Sequence, residues 1–112
     1  MTIIAIASLE DAEDILVLQK RAYQSEARLY NDWSLPPLTQ SPESLLEEFA
    51  GAVVLKAAVG NRLVGSVRAR SNGDVCEIGR LIVDPQFQRQ GMGSDLVKRI
   101  ESLEADLAEC ER

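Results

Sequence analysis

The chain has 112 residues, 46% hydrophobic but only 4% aromatic, with 18 acidic against 12 basic side chains and a formal net charge of −6. Length and apolar content give one domain with an aliphatic core, while the acidic balance weighs against nucleic acid and suits a surface kept soluble by charge or a cationic substrate. Histidine is absent and the two cysteines, Cys76 and Cys110, share no paired spacing, which removes a histidine triad and a zinc site and leaves free thiols of a reducing compartment.

Residues 2–7 are a short β-prone run without the basic stretch of a signal peptide. No apolar run approaches the roughly 20 residues of a membrane span, so the expected location is the cytoplasm. Ser8 with Asp11 makes a variant capping box. Leu9, Ala12, Ile15, Leu16, Gln19, Ala22 and Tyr23 then recur at helical spacing, apolar except for Gln19. The spacing predicts a helix over 9–23 that extends towards Tyr30. Residues 31–40, with Trp33, Pro36 and Pro37, read as a loop. Ser41 and Pro42 open a second helix, apolar at Leu45, Leu46 and Phe49 and closed near Gly51. Strands follow at 52–59, 63–70 and 75–83, separated by turns at Gly60-Asn61 and 71–74. Simple alternation puts Leu63, Gly65, Val67 and Ala69 on one face of the middle strand and Val64, Ser66, Arg68 and Arg70 on the other. A last helix begins near Gln90, with an apolar stripe at Leu96, Ile100, Leu103, Leu107 and Cys110. The order is β-α-α-β-β-β-α, a mixed α/β (α+β) chain with consecutive antiparallel strands.

The densest information lies in residues 81–94, where a buried strand passes through an Asp84-Pro85 turn into a glycine-rich helix start. The first turn of a helix carries unsatisfied N–H groups, and glycines let an anion approach them. A nucleoside-triphosphate loop would need Gly-Lys-Ser/Thr, but Gly93 is followed by Ser94 and Asp95. A dinucleotide fingerprint would need a glycine where Leu96 stands, and a βαβ unit. Both readings fail.

Val83-Asp84-Pro85 followed by Gln88-Arg89-Gln90-Gly91-Met92-Gly93 resembles the acyl-CoA signature of the GNAT superfamily of N-acetyltransferases. The order of elements matches that family too, so the resemblance spans the chain. It implies an acyl-CoA N-acyltransferase-like fold and acetyl-CoA or CoA as cofactor. The pyrophosphate would be held by the turn from Gln88 through Arg89, Gln90, Gly91, Met92 and Gly93 to Ser94, and the pantetheine would pair with Leu81, Ile82 and Val83. Arg89 has two readings, a charged contact or a solvated side chain. The resemblance further implies a bulge in the strand that aims a backbone N–H near Leu81 at the thioester carbonyl. Glu77, the only acid on that strand, is the candidate base. With no bulge intervening, alternation would set it on one face with Gly79 and Leu81. The plainer alternative is a carboxylate paired with Arg68 or Arg70.

The resemblance implies transfer of an acetyl group to a primary amine by direct attack, with a non-catalytic CoA-binding or interaction module as the alternative. Tyr30, Asp32 and Trp33 map to a loop that shapes the acceptor site in the family; Trp33 reads equally as an anchor of the proline-rich loop. The family fold adds a further strand beyond the last helix, and the sequence stops at Arg112, close to where that strand would start. The expectation is a fold truncated after its CoA-binding helix, with strand 75–83 exposed for pairing in a homodimer.

Overall fold

The computed structural model describes residues 2–72, 75–88 and 90–110; the side chains at 25, 26, 71, 72, 75, 76 and 104–110 lie outside that description. Strand β1 (Thr2–Ile6) leads through a 3₁₀ turn (Leu9–Asp11) into α1 (Ala12–Tyr30), then a single helical turn α2 (Pro36–Thr39) and α3 (Pro42–Gly51). Strands β2 (Val53–Val59), β3 (Arg62–Asn72) and β4 (Val75–Val83) follow, then a second 3₁₀ turn (Pro85–Phe87) and α4 (Met92–Cys110). The strands form one antiparallel sheet in the order β1-β2-β3-β4.

α1 runs the full length to Tyr30 and ends on Asn31 in the left-handed conformation, where its N–H caps the Ala27 carbonyl. The 31–40 segment is not loop throughout: Pro36 and Pro37 start the one-turn α2, since proline's fixed φ suits the first helical positions. Ser41 caps α3 by accepting from the Ser44 N–H at 3.1 Å. At the start of α1 the Asp11 carboxylate takes the Ser8 N–H at 2.9 Å and the Lys56 ammonium at 2.9 Å. Burial would raise its pKa, but the Ser8 N–H and the Lys56 ammonium outweigh this and hold it below the usual carboxylate value.

Helices cover both sheet faces. On one side Ala12, Ile15 and Leu16 of α1 pack with Leu45 of α3 against Val54. On the other, Met92, Leu96 and Ile100 of α4 pack on Leu55, Ala57, Val67 and Ala69. Ile15, Leu45, Leu55, Leu96 and Ile100 are fully buried, each stabilising the fold by about 1.5–3 kcal/mol.

The middle strand departs from simple alternation. Ala57 pairs with Gly65 but Ala58 with Leu63, which leaves Val64 as an extra residue. The bulge moves Leu63 onto the α1–α3 side and puts Val64 with the α4 side. Gly65 lies directly beneath α4: a Cβ there would stand 3.0 Å from Leu96 Cδ1 and 3.1 Å from Met92 Sδ. Its lack of a side chain sets how closely the first turn of α4 approaches the sheet.

Candidate functional site

β4 occupies one edge of the sheet and is itself bulged. Ser66 pairs with Ile82, whereas Arg68 pairs with Gly79, so β4 carries one residue more than β3 between those pairs. The surplus falls at Arg80, whose φ of 51° is in the left-handed region. A non-glycine residue there costs about 1–2 kcal/mol, and such strain concentrates at functional sites. The bulge reverses the facing of the residues after it. Gly79 and Glu77 stand opposite Arg68 and Arg70 in register, whereas Leu81 reaches the α4 side, where its Cδ2 would lie 3.7 Å from a Cβ on Gly93. Glu77 and Leu81 therefore face opposite sides, because the bulge intervenes between them.

Beyond β4 the chain is clamped by Asp84, which is buried. Its carboxylate accepts from Arg62 at 3.0 Å and from the Gln86 N–H at 2.9 Å, with Arg21 of α1 at 3.5 Å. Its backbone N–H donates to the Val64 carbonyl at 2.8 Å, and its carbonyl accepts from Phe87 at 2.8 Å. The Arg62 guanidinium also lies 5.4 Å from the Phe87 ring centre. Asp84 thus ties α1, the β3 bulge and the 3₁₀ turn together at the point where the chain turns towards α4. Gln88 closes the turn by donating to the Val83 carbonyl at 3.2 Å.

Gly91 adopts φ 81°, and a Cβ on it would meet nothing within 4 Å; its carbonyl accepts the first helical bond of α4, from Asp95, at 3.0 Å. α4 itself begins at Met92, two residues later than the glycine-rich run suggests. The Met92 side chain is buried in the core, so only its backbone faces the helix start. Gln90, Gly91 and Ser94 are exposed, and Gly93 is half-buried. A Cβ on Gly91 would stand in open space, whereas one on Gly93 would touch Leu81 Cδ2 at 3.7 Å and Val83 Cγ2 at 3.9 Å, so the first turn of α4 lies against the end of β4. A metal-free anion fits such a place. Arg89 lies outside the described residues.

On the opposite face a cavity of about 270 Å³ lies against β4, lined by Arg68, Arg70, Glu77, Gly79 and Arg80, with Glu48 of α3. Arg68 is buried, and one of its nitrogens pairs with the Glu48 carboxylate. Its Nη2 donates to Gln19 Oε1 at 2.6 Å. The Gln19 amide in turn donates to the Pro37 carbonyl and to Gln40 Oε1, each at 2.9 Å. Gln40 closes the ring by donating to Glu48 at 3.0 Å. Burial holds the Arg68 pKa below the ordinary arginine value, opposed by Glu48 and reinforced by the positive charge of Arg80. Its Nε is buried without a partner.

Sequence reasoning located the glycine turn, the strand and the helix, and placed Asp84 in the turn, but missed the clamp made by the Asp84 side chain, Glu48 and the Gln19–Arg68 network. The one signal for the network was Gln19, a polar side chain inside an apolar stripe. Glu77 is exposed and stands opposite Arg70, and among the described residues no ion pair joins it to Arg68 or Arg70. Trp33 does not anchor its loop in the core: it is 53% exposed and Tyr30 71%. Asp32 instead accepts from the Ser34 hydroxyl at 2.6 Å and N–H at 3.0 Å, which lowers its pKa. The side chains of Cys76 and Cys110 and the turn at 73–74 lie outside the described residues. Among the described residues no cluster of acidic or cysteine side chains could hold a metal ion, and no helix is long and apolar enough to cross a membrane.

A bulged edge strand that runs through an Asp-Pro turn into a glycine-opened helix defines an acyl-CoA N-acyltransferase fold. Residues 11–112 match the Acetyltransferase (GNAT) family, and the chain belongs to it. The PaiA N-acetyltransferase from Thermoplasma acidophilum, solved with coenzyme A, superposes with a TM-score of 0.81 at 18% identity, over 96% of this chain and 74% of that one. The ribosomal-protein-S18-alanine N-acetyltransferase from Escherichia coli gives 0.73 at 18% identity, over 95% and 61%. A GNAT family acetyltransferase from Brucella melitensis, solved with acetyl-CoA, gives 0.70 at 15% identity, over 95% and 70%. No curated protein sequence matches the chain.

Proposed function

We propose that the chain binds acetyl-CoA and transfers its acetyl group to a primary amine by direct attack. The observation that carries this reading is the continuity of one segment, 79–94. It joins a bulge with a strained Arg80 to an open glycine turn at the start of a long helix. The N–H groups of the turn and of the first residues of α4 hold the pyrophosphate, helped by the helix dipole at about 0.3–1 kcal/mol per favourable charge. Gly91 leaves the approach clear. Edge groups of Leu81, Ile82 and Val83 pair with the pantetheine amides. Bound acetyl-CoA supplies an activated thioester, whose carbonyl carbon bonds to the amine nitrogen as the carbon–sulfur bond breaks and the thiolate leaves. The backbone N–H at Leu81 donates to the carbonyl oxygen as negative charge builds on it.

The attacking amine must lose a proton. Glu77, on the cavity wall beside the bulge with Gly79 and Arg80, acts as base on an amine held in that cavity, directly or through one water. Similarity to acetyltransferases solved with coenzyme A and acetyl-CoA supports the cofactor. β4 at the sheet edge supports pairing with a second copy along that strand, and the reading places the protein in the cytoplasm.

Calorimetric titration with acetyl-CoA and with CoA tests binding, and free-thiol release over an amine panel tests turnover. The expected result is saturable binding that Gly91→Glu abolishes, together with acceptor-dependent thiol release. Binding without release from any amine would make the chain a CoA-binding module. An unchanged pH–rate profile in Glu77→Gln would remove Glu77 as base.

A further inference from the structure

The cavity beside the β4 bulge runs against the charge of the molecule around it. The whole chain carries −6, yet this cavity gathers Arg68, Arg70 and Arg80 against Glu48 and Glu77. Glu48 is already engaged by Arg68 and Gln40. Among the described residues, no carboxylate pairs with Arg70 or Arg80. The positive charge of Arg80 acts on Arg68, whose own counterion is Glu48, so Glu48 is not free to neutralise Arg80. Arg68 Nε is buried and unpartnered, which is costly for a charged donor. Arg80 adopts its unfavourable backbone conformation at this wall of the cavity, one residue before the proposed carbonyl donor.

We propose that this cavity is the acceptor subsite, and that it selects a small amine bearing a carboxylate, which Arg70 and Arg80 hold. The inference rests on the acetyltransferase reading and names its substrate class. At about 270 Å³ the cavity lies just below the roughly 300–1,000 Å³ that ligand sites commonly span. That size favours an amino-acid-sized acceptor. The planar guanidinium fork matches a carboxylate through paired N–H donors, which an uncharged amide takes far less well. Glu77 on the same wall suits the ammonium end.

The test uses products as probes, because they bind whether or not the chain turns over. N-acetylglycine, N-acetylalanine and N-acetylglutamate, with their carboxamide counterparts, are titrated into isotope-labelled protein. The resonances of Gly79 and Arg80 are followed. At least one acid is expected to shift both, with its amide about tenfold weaker or silent. Arg80→Gln and Arg70→Gln should each abolish the Gly79 shift while the core methyl signals of Leu55 and Leu96 stay in place. In turnover, the same variants should raise the acceptor KM about tenfold with kcat within threefold. Amides that match their acids, or acids that leave Gly79 and Arg80 unmoved, would overturn the proposal. Failure of acetyl-CoA to bind would overturn the acetyltransferase reading instead, and the carboxylate titration would still report on the cavity.

Discussion

Gln19 is fully buried on the inner face of α1 and satisfies three partners from two other parts of the chain. Gln19→Leu keeps the volume but leaves the Arg68 Nη2 and the Pro37 carbonyl unmatched. The expected cost is about 1–3 kcal/mol in denaturant unfolding, with the α2 segment exchanging amide hydrogens faster. Asp11 contributes differently. Its folded pKa lies below the unfolded value, so its stabilisation is present above the unfolded pKa of 3.8 and is lost as pH falls through the folded value. The Lys56 pair is partly exposed, so Asp11→Asn should lower stability at pH 7 by only about 0.5–1 kcal/mol. The difference should shrink below pH 4, as urea titrations at the two pH values would show. Both residues were visible beforehand only as local marks, a polar interruption and a cap. Their partners are distant in sequence, 49 residues for Gln19–Arg68 and 45 for Asp11–Lys56. No local periodicity encodes such pairings.

Among the elements, α4 depends most on what lies beneath it. Gly65→Val would place branched carbons where Leu96 and Met92 already stand at 3.0–3.1 Å from a bare Cβ. α4 is expected to lift at its N-terminal end, with about 1–3 kcal/mol lost and acetyl-CoA affinity reduced, measured by calorimetry beside thermal unfolding. Asp84→Ala cuts the tie between Arg21, Arg62 and the 85–87 turn. Unfolding should lose about 1–3 kcal/mol, with acetyl-CoA binding weakened more than the fold. β4 was legible to its end residues, because a β-branched run bounded by turns has few other solutions. The bulges at Val64 and Arg80 were not legible in the residues alone. Alternation assumes one residue opposite one, and nothing in Arg80 marks it for the left-handed region that glycine prefers. The bulge near Leu81 was anticipated only through resemblance to the family, and the one-turn α2 was hidden by prolines that equally serve a loop.

At the scale of the molecule, the single sheet with helices on both faces makes stability shared. Leu45 and Leu96 are both fully buried, on opposite sides of the sheet. Leu45→Ala and Leu96→Ala should each cost about 2–5 kcal/mol, and each should unfold the chain in one transition by circular dichroism and tryptophan fluorescence alike. Only Leu96→Ala should also weaken acetyl-CoA binding before unfolding. The order of elements was readable from apolar spacing and turn residues. The charge map was not: a net acidic composition suited a surface kept soluble by charge or a cationic substrate, while the fold collects three arginines at one cavity.

The bulge at Arg80 also bears on how the protein behaves in a crowded solution. A straight nine-residue edge strand would offer a continuous ladder to any passing chain, the template on which β-aggregates grow. The interruption at Arg80 breaks the regular ladder that a continuous partner strand would need. The same bulge thus divides the edge into two short stretches, each able to take a short partner but neither a template for runaway polymerisation.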